Sequence, residues 1–173
     1  AYPEVPFFVE VPDLRWILQN KTFWDFCYEH CNYFTPTSLS NAMTLSGFRT
    51  VRTQAAFGEQ YIWLEAVTQP DVPSTLTPQA EVAALVEQIQ SYAEAERKLV
   101  DQARGRLTQL KSEDCAIVLW GMATKGILFS FLVDPDCRLF DFCIDINPNK
   151  QGCFVPVTGH AISSVEALPR DSA

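Results

Sequence analysis

The stretch from Cys115-Ala-Ile-Val-Leu-Trp120 through Gly121-Met-Ala-Thr-Lys-Gly126 to Ile127–Val133, with Leu139–Ile144 after it, decides the fold. The first six residues form an apolar run of strand length, closed by a glycine. The six residues that follow read as a turn, and Ile127–Val133 reads as a helix. Leu139–Ile144 is a second apolar run of strand length. Strand, glycine turn, helix and strand in that order predict a right-handed parallel β-α-β unit.

Working outward, residues 79–110 carry apolar side chains at helical spacing: Val82, Leu85, Val86, Ile89, Tyr92, Leu99, Val100, Ala103, Leu107 and Leu110. An unbroken helix of that length spans close to ~50 Å. Gly105 is its weak point. The proline-rich segment 70–78 reads as a linker. Before it, Phe48–Thr53 and Tyr61–Val67 predict an antiparallel pair turning at Gly58-Glu59. Thr35-Pro36 predicts a helix start, with Gly47 at its end. Asp13 is placed to cap a short helix over Leu14–Leu18. Phe7–Val11, bounded by Pro6 and Pro12, reads as a buried strand. The class expected is therefore α/β.

Composition narrows the function classes. The chain has 173 residues, 47% hydrophobic and 20% charged, which suffices for a core and excludes global disorder. Thirteen Lys and Arg against 21 Asp and Glu leave a net charge of −8, the wrong sign for wrapping nucleic acid. No apolar run approaches the ~20 residues of a membrane span. The N-terminal residues carry no basic stretch and do not read as a signal peptide. Six cysteines without a Cys-x-x-Cys pair read as reduced thiols in a cytoplasmic protein, and no metal site is expected.

Two groups of residues could carry chemistry. Glu29-His30 sits in the aromatic stretch 23–34, and nine of the 21 aromatics lie between Phe7 and Phe34. A histidine beside a carboxylate and walled by aromatics is suited to take a proton near neutral pH. The competing reading is a histidine satisfied within an aromatic core. The second group is Gly121-x-x-x-Lys125-Gly126, a glycine turn at a helix start with a lysine to face a phosphate. It is neither a Walker A motif nor a dinucleotide fingerprint, and an ordinary turn with a solvated lysine is its plain alternative. Asp145-Ile-Asn-Pro-Asn-Lys-Gln-Gly152 follows the next strand, so both turns are expected at the carboxyl edge of a parallel sheet.

Four motifs in order carry a resemblance: Val9-Glu-Val-Pro-Asp13; Glu29-His30 with Tyr33-Phe34-Thr35; Gly121-x-x-x-Lys125-Gly126; and Asn147-Pro148-x-Lys150-Gln151-Gly152. The chain resembles the S-adenosylmethionine-dependent C-methyltransferases that act on nucleotide-linked deoxysugars, from residue 7 to about 165. The resemblance implies that residues 1–69 are the end of a methyltransferase domain, with a partial sheet. It implies a Rossmann-like C-terminal domain over 79–173, truncated at its end, in a fragment of a longer enzyme. His30 is implied as the base that removes a proton beside a sugar ketone, with Glu29 as its partner. Asn32, Tyr33, Gly121, Lys125, Gly126, Lys150 and Gln151 are implied to hold the nucleotide sugar. Where some members carry a tyrosine three residues before the histidine, this chain has Cys27. The donor loop of such enzymes is glycine-rich, and the seven glycines here include no G-x-G-x-G. S-adenosylmethionine is therefore expected to serve the longer parent and not to bind this chain alone. Two alternatives stand beside this reading: a non-catalytic nucleotide- or phosphate-binding module, and a structural lobe that mediates dimerisation.

Overall fold

The computed structural model describes residues 5–27, 29–69, 76 and 82–169. The fold is α/β, in two compact units, Ala1–Glu94 and Ala95–Ala173, with the boundary inside a helix. Apart from Leu76, the predicted linker at 70–78 lies outside the described residues.

The first unit is built on a three-stranded antiparallel sheet in the order β1-β3-β2, with β1 at Pro6–Pro12, β2 at Phe48–Ala56 and β3 at Tyr61–Thr68. Alternation along β3 buries Ile62, Leu64 and Ala66 on one face. Helix α2, Pro36–Leu45, contributes Leu39 and Met43 to the same apolar cluster. Val9 and Val11 of β1 join it, because their partners across the ladder are Leu64 and Ile62. The hairpin is longer than the apolar pattern foretells, since β2 runs on to Ala56 past a bulge between Thr50 and Arg52.

Capping sets the helix starts. Asp13 accepts from the Arg15 N–H at 2.9 Å and opens α1, Leu14–Asn20. Thr35 and Ser38 form a reciprocal capping box at the head of α2, with Pro36 in the first turn. Helix α3, Val82–Ser112, is continuous over 31 residues, and Gly105 does not break it.

The second unit carries a three-stranded parallel sheet in the order β4-β5-β6, with β4 at Val118–Trp120, β5 at Phe142–Ile144 and β6 at Ile162–Ser163. Helix α4, Thr124–Val133, connects β4 to β5. Ile117, Met122, Phe140, Cys143, Val155 and Ile162 form its buried cluster.

Three predicted boundaries need correction, each for a physical reason. The strand expected at 115–120 starts only at Val118, because the Ile117 N–H is taken by the Asp141 carboxylate at 2.8 Å rather than by a ladder partner. The strand expected at 139–144 starts at Phe142, because the N–H groups of Leu139 and Phe140 donate to Asp134. The turn expected over 121–126 is shorter, and α4 begins at Thr124. Gly126 permits this: a Cβ there would lie 2.1 Å from the Gly121 carbonyl oxygen.

Candidate functional site

The two groups singled out by sequence lie in different compact units. In the first, the loop between α1 and α2 is organised by Tyr33. Its hydroxyl accepts from the Cys27 N–H at 2.9 Å and lies 3.2 Å from the carbonyl oxygens of Asp25 and Cys27. Burial, the largest cause, raises the Tyr33 pKa, so the phenol stays protonated as a donor. The ring packs on Phe26 at 4.8 Å, and Phe26 meets Tyr92 of α3 at 5.2 Å.

His30 stands next to this anchor. Its N–H donates to the Cys27 carbonyl at 3.1 Å, and its ring lies edge-on to Tyr33 at 6.2 Å. The residue is half-buried, and no described residue hydrogen-bonds its ring nitrogens. Glu29 is exposed. Its carboxylate engages the Cys27 thiol, whose pKa is pushed up first by burial and then by that contact. Asn32 is exposed. The loop thus brings His30 and Tyr33 together and directs Glu29 to Cys27.

In the second unit the carboxyl ends of β4 and β5 meet. The Gly121 N–H donates to the Ile144 carbonyl at 2.7 Å, with Gly121 at φ +94°, a left-handed conformation suited to glycine. Lys125 is exposed in the first turn of α4, and Gly126 is buried behind it. The 145–152 loop folds around Asp145. Lys150 Nζ pairs with its carboxylate at 2.9 Å, the Gln151 amide donates to its carbonyl at 3.0 Å, and the Asn147 N–H donates to its side chain at 2.9 Å. Lys150 is the largest cause of a lowered Asp145 pKa, and a hydrogen bond from the Met122 N–H contributes. Asp145 therefore ties the Gly121 turn to the Lys150–Gln151 loop at one sheet edge.

A family model described as the C-methyltransferase C-terminal domain matches residues 66–172, more than half of the chain. This chain belongs to that family. No curated protein matches it. The matched stretch contains Gly121, Lys125, Gly126, Lys150 and Gln151, whereas Glu29, His30, Asn32 and Tyr33 precede it.

The described glycine turn after a parallel strand is closed by its own packing, since Gly126 faces the Gly121 carbonyl. Its free edge is met by the chain's own Asp145. Among the described residues no group of three or more His, Cys, Asp or Glu is placed to hold a metal ion, and all six cysteines are free. No helix among them is long and apolar enough to cross a membrane.

Sequence reasoning missed a buried cluster in the second unit. His160 is 3% exposed. Its Nδ1 lies 2.8 Å from Thr158 Oγ1 and its Nε2 lies 2.9 Å from Asp134 Oδ2. Asp134, 2% exposed, also accepts from the N–H groups of Arg138, Leu139 and Phe140. Burial is the largest influence on Asp134 and pushes its pKa up. The donors together outweigh it, and the net direction is down. An ionised carboxylate only accepts, so His160 Nε2 carries the proton toward it. No short motif announces this cluster: strand β5 and the loop after it lie between Asp134 and His160, and only folding brings them together.

Proposed function

We propose that the chain is part of an enzyme that moves a methyl group from S-adenosylmethionine to a carbon of a nucleotide-linked keto-deoxysugar. Membership of the C-methyltransferase C-terminal domain family supports the reaction class. The observation that carries the chain's own part is the state of His30, a half-buried imidazole whose ring nitrogens no described residue occupies.

In this reading His30 takes the proton from the carbon beside the sugar ketone, leaving an enolate. The proton ends on a ring nitrogen, and the electron pair of the broken C–H bond moves into the enolate. Tyr33 keeps the loop backbone in shape through its contacts to Asp25 and Cys27, which holds His30 in place. Glu29, whose carboxylate meets the Cys27 thiol, braces the same loop one residue before the base. Asn32 supplies an amide for the sugar. Taken by itself, the second unit offers a phosphate site at the carboxyl edge of its sheet, carried by Lys125, Lys150 and Gln151. Six free thiols suit a reducing, cytoplasmic setting.

Proton removal can be tested without the donor. The chain is incubated in deuterated buffer with a nucleoside-diphosphate-linked keto-deoxysugar, and deuterium at the carbon beside the ketone is followed by NMR. Exchange above the buffer rate, lost in His30→Asn, is expected. Equal exchange by wild type and His30→Asn would remove His30 from the chemistry.

A further inference from the structure

The segment that follows Lys150 and Gln151 doubles back on itself. The Gly152 N–H donates to the Ile162 carbonyl at 2.8 Å, the Ile162 N–H to Cys153 at 2.9 Å, and the Val155 N–H to His160 at 2.8 Å. Phe154 and Ala161 form an antiparallel bridge across this narrow clip. Its tip is strained. Val157, a β-branched residue, sits at φ +71° and is 85% exposed, with Gly159 at φ +76° beside it. An exposed valine packs too little to hold that conformation itself.

What holds the tip is the buried cluster beneath it. Thr158 meets His160 across the turn, and His160 Nε2 reaches Asp134, which the Arg138, Leu139 and Phe140 amides already fix on the connection leading into β5. The Phe140 ring flanks the imidazole at 5.8 Å. The base of the clip continues directly into the loop that carries Lys150: the Cys153 N–H donates to the Lys150 carbonyl at 3.0 Å.

We propose that His160, clamped between Asp134 and Thr158, is a positioning residue that latches the strained 153–162 clip and thereby orders the Lys150–Gln151 loop. The link to ligand binding rests on the reading that this loop holds nucleotide phosphates. The latch itself does not.

Two substitutions separate the two ring nitrogens. In His160→Gln the amide reaches as far as Nε2 and keeps a donor for Asp134. In His160→Asn the shorter amide keeps only the Thr158 side. Amide hydrogen exchange of the chain is the first readout. His160→Asn is expected to speed exchange at Gly152, Cys153, Val155 and Ile162 by about ten- to a hundredfold, with the amides of α4 unchanged. His160→Gln is expected to restore protection to within a few-fold of wild type. Equal behaviour of the two variants, or faster exchange spread evenly over the unit, overturns the latch. Should His160→Asn fail to fold, His160→Gln decides alone: wild-type protection supports the latch and loss of it overturns it. The second readout is titration with uridine diphosphate, with weaker binding expected for His160→Asn and near-normal binding for His160→Gln. A wild-type chain that does not bind uridine diphosphate defeats the phosphate reading of the loop, while the exchange result still decides the latch.

Discussion

Replacing Gly126 with alanine tests whether the glycine turn is shaped by its own packing. The added Cβ would lie 2.1 Å from the Gly121 carbonyl oxygen and 3.0 Å from its carbon. Ordinary carbon–oxygen contact begins near ~3.3 Å, so the turn must retreat by more than ~1 Å. The Gly121 N–H that bonds Ile144 at 2.7 Å is the tie that such a retreat stretches. Overpacking costs about 1–3 kcal/mol and a lost hydrogen bond about 1 kcal/mol. Better helix propensity returns about 1 kcal/mol. The net expectation is ~1–3 kcal/mol of destabilisation, a fall in Tm of roughly 2–12 °C for a chain of this size. Gly105→Ala is the control: it also lies within a helix, but nothing stands within 4 Å of its Cβ, and it should stabilise by up to ~1 kcal/mol. Urea unfolding followed by tryptophan fluorescence reads both variants. Opposite signs are expected. A Gly126→Ala protein as stable as Gly105→Ala would refute the close approach at the turn.

Three further outcomes are expected. Asp134 and Asp141 have lowered folded pKa values, so their stabilisation is fully present above the unfolded carboxylate range near pH 4 and is lost as pH falls through the folded values; Asp134→Asn should flatten the loss of unfolding free energy below about pH 4, and an unchanged pH profile would contradict it. Lys125→Ala should weaken binding of a nucleoside diphosphate sugar by ~1.5–3 kcal/mol, about 10- to 150-fold in Kd, and unaltered affinity by calorimetry would take Lys125 out of the site. The chain should not bind S-adenosylmethionine measurably, and a micromolar Kd would show a donor site that its glycine pattern does not foretell.

Much of the fold was legible because its signals are local. Asp13 and Thr35 announce helix starts through side chains that cap the next turn, and the alternation of Ile62, Leu64 and Ala66 marks a half-buried strand. The errors lie where a side chain replaces a backbone partner. Asp141 and Asp134 take N–H groups that the apolar pattern assigns to strand ladders, so β4 and β5 are shorter than their hydrophobic runs. Long-range pairing explains what the candidate site reading missed. His160 looks like a loop residue beside Gly159, yet its partner Asp134 lies 26 positions earlier, at the end of α4. The meeting of the Gly121 turn with the loop after β5 was legible because the β-α-β order sends both to one sheet edge. Asp145, the residue that joins those loops, is visible only in the folded chain.

The central claim is that His30 is the base of a C-methyltransferase, and turnover of His30→Asn in the methyl-transferring protein tests it most directly. Substrate affinity should stay within a few-fold of wild type while kcat falls by ~10²–10⁴, the contribution of a positioned general base. Near-normal kcat in that variant would contradict the account and return His30 to a structural role in the aromatic loop.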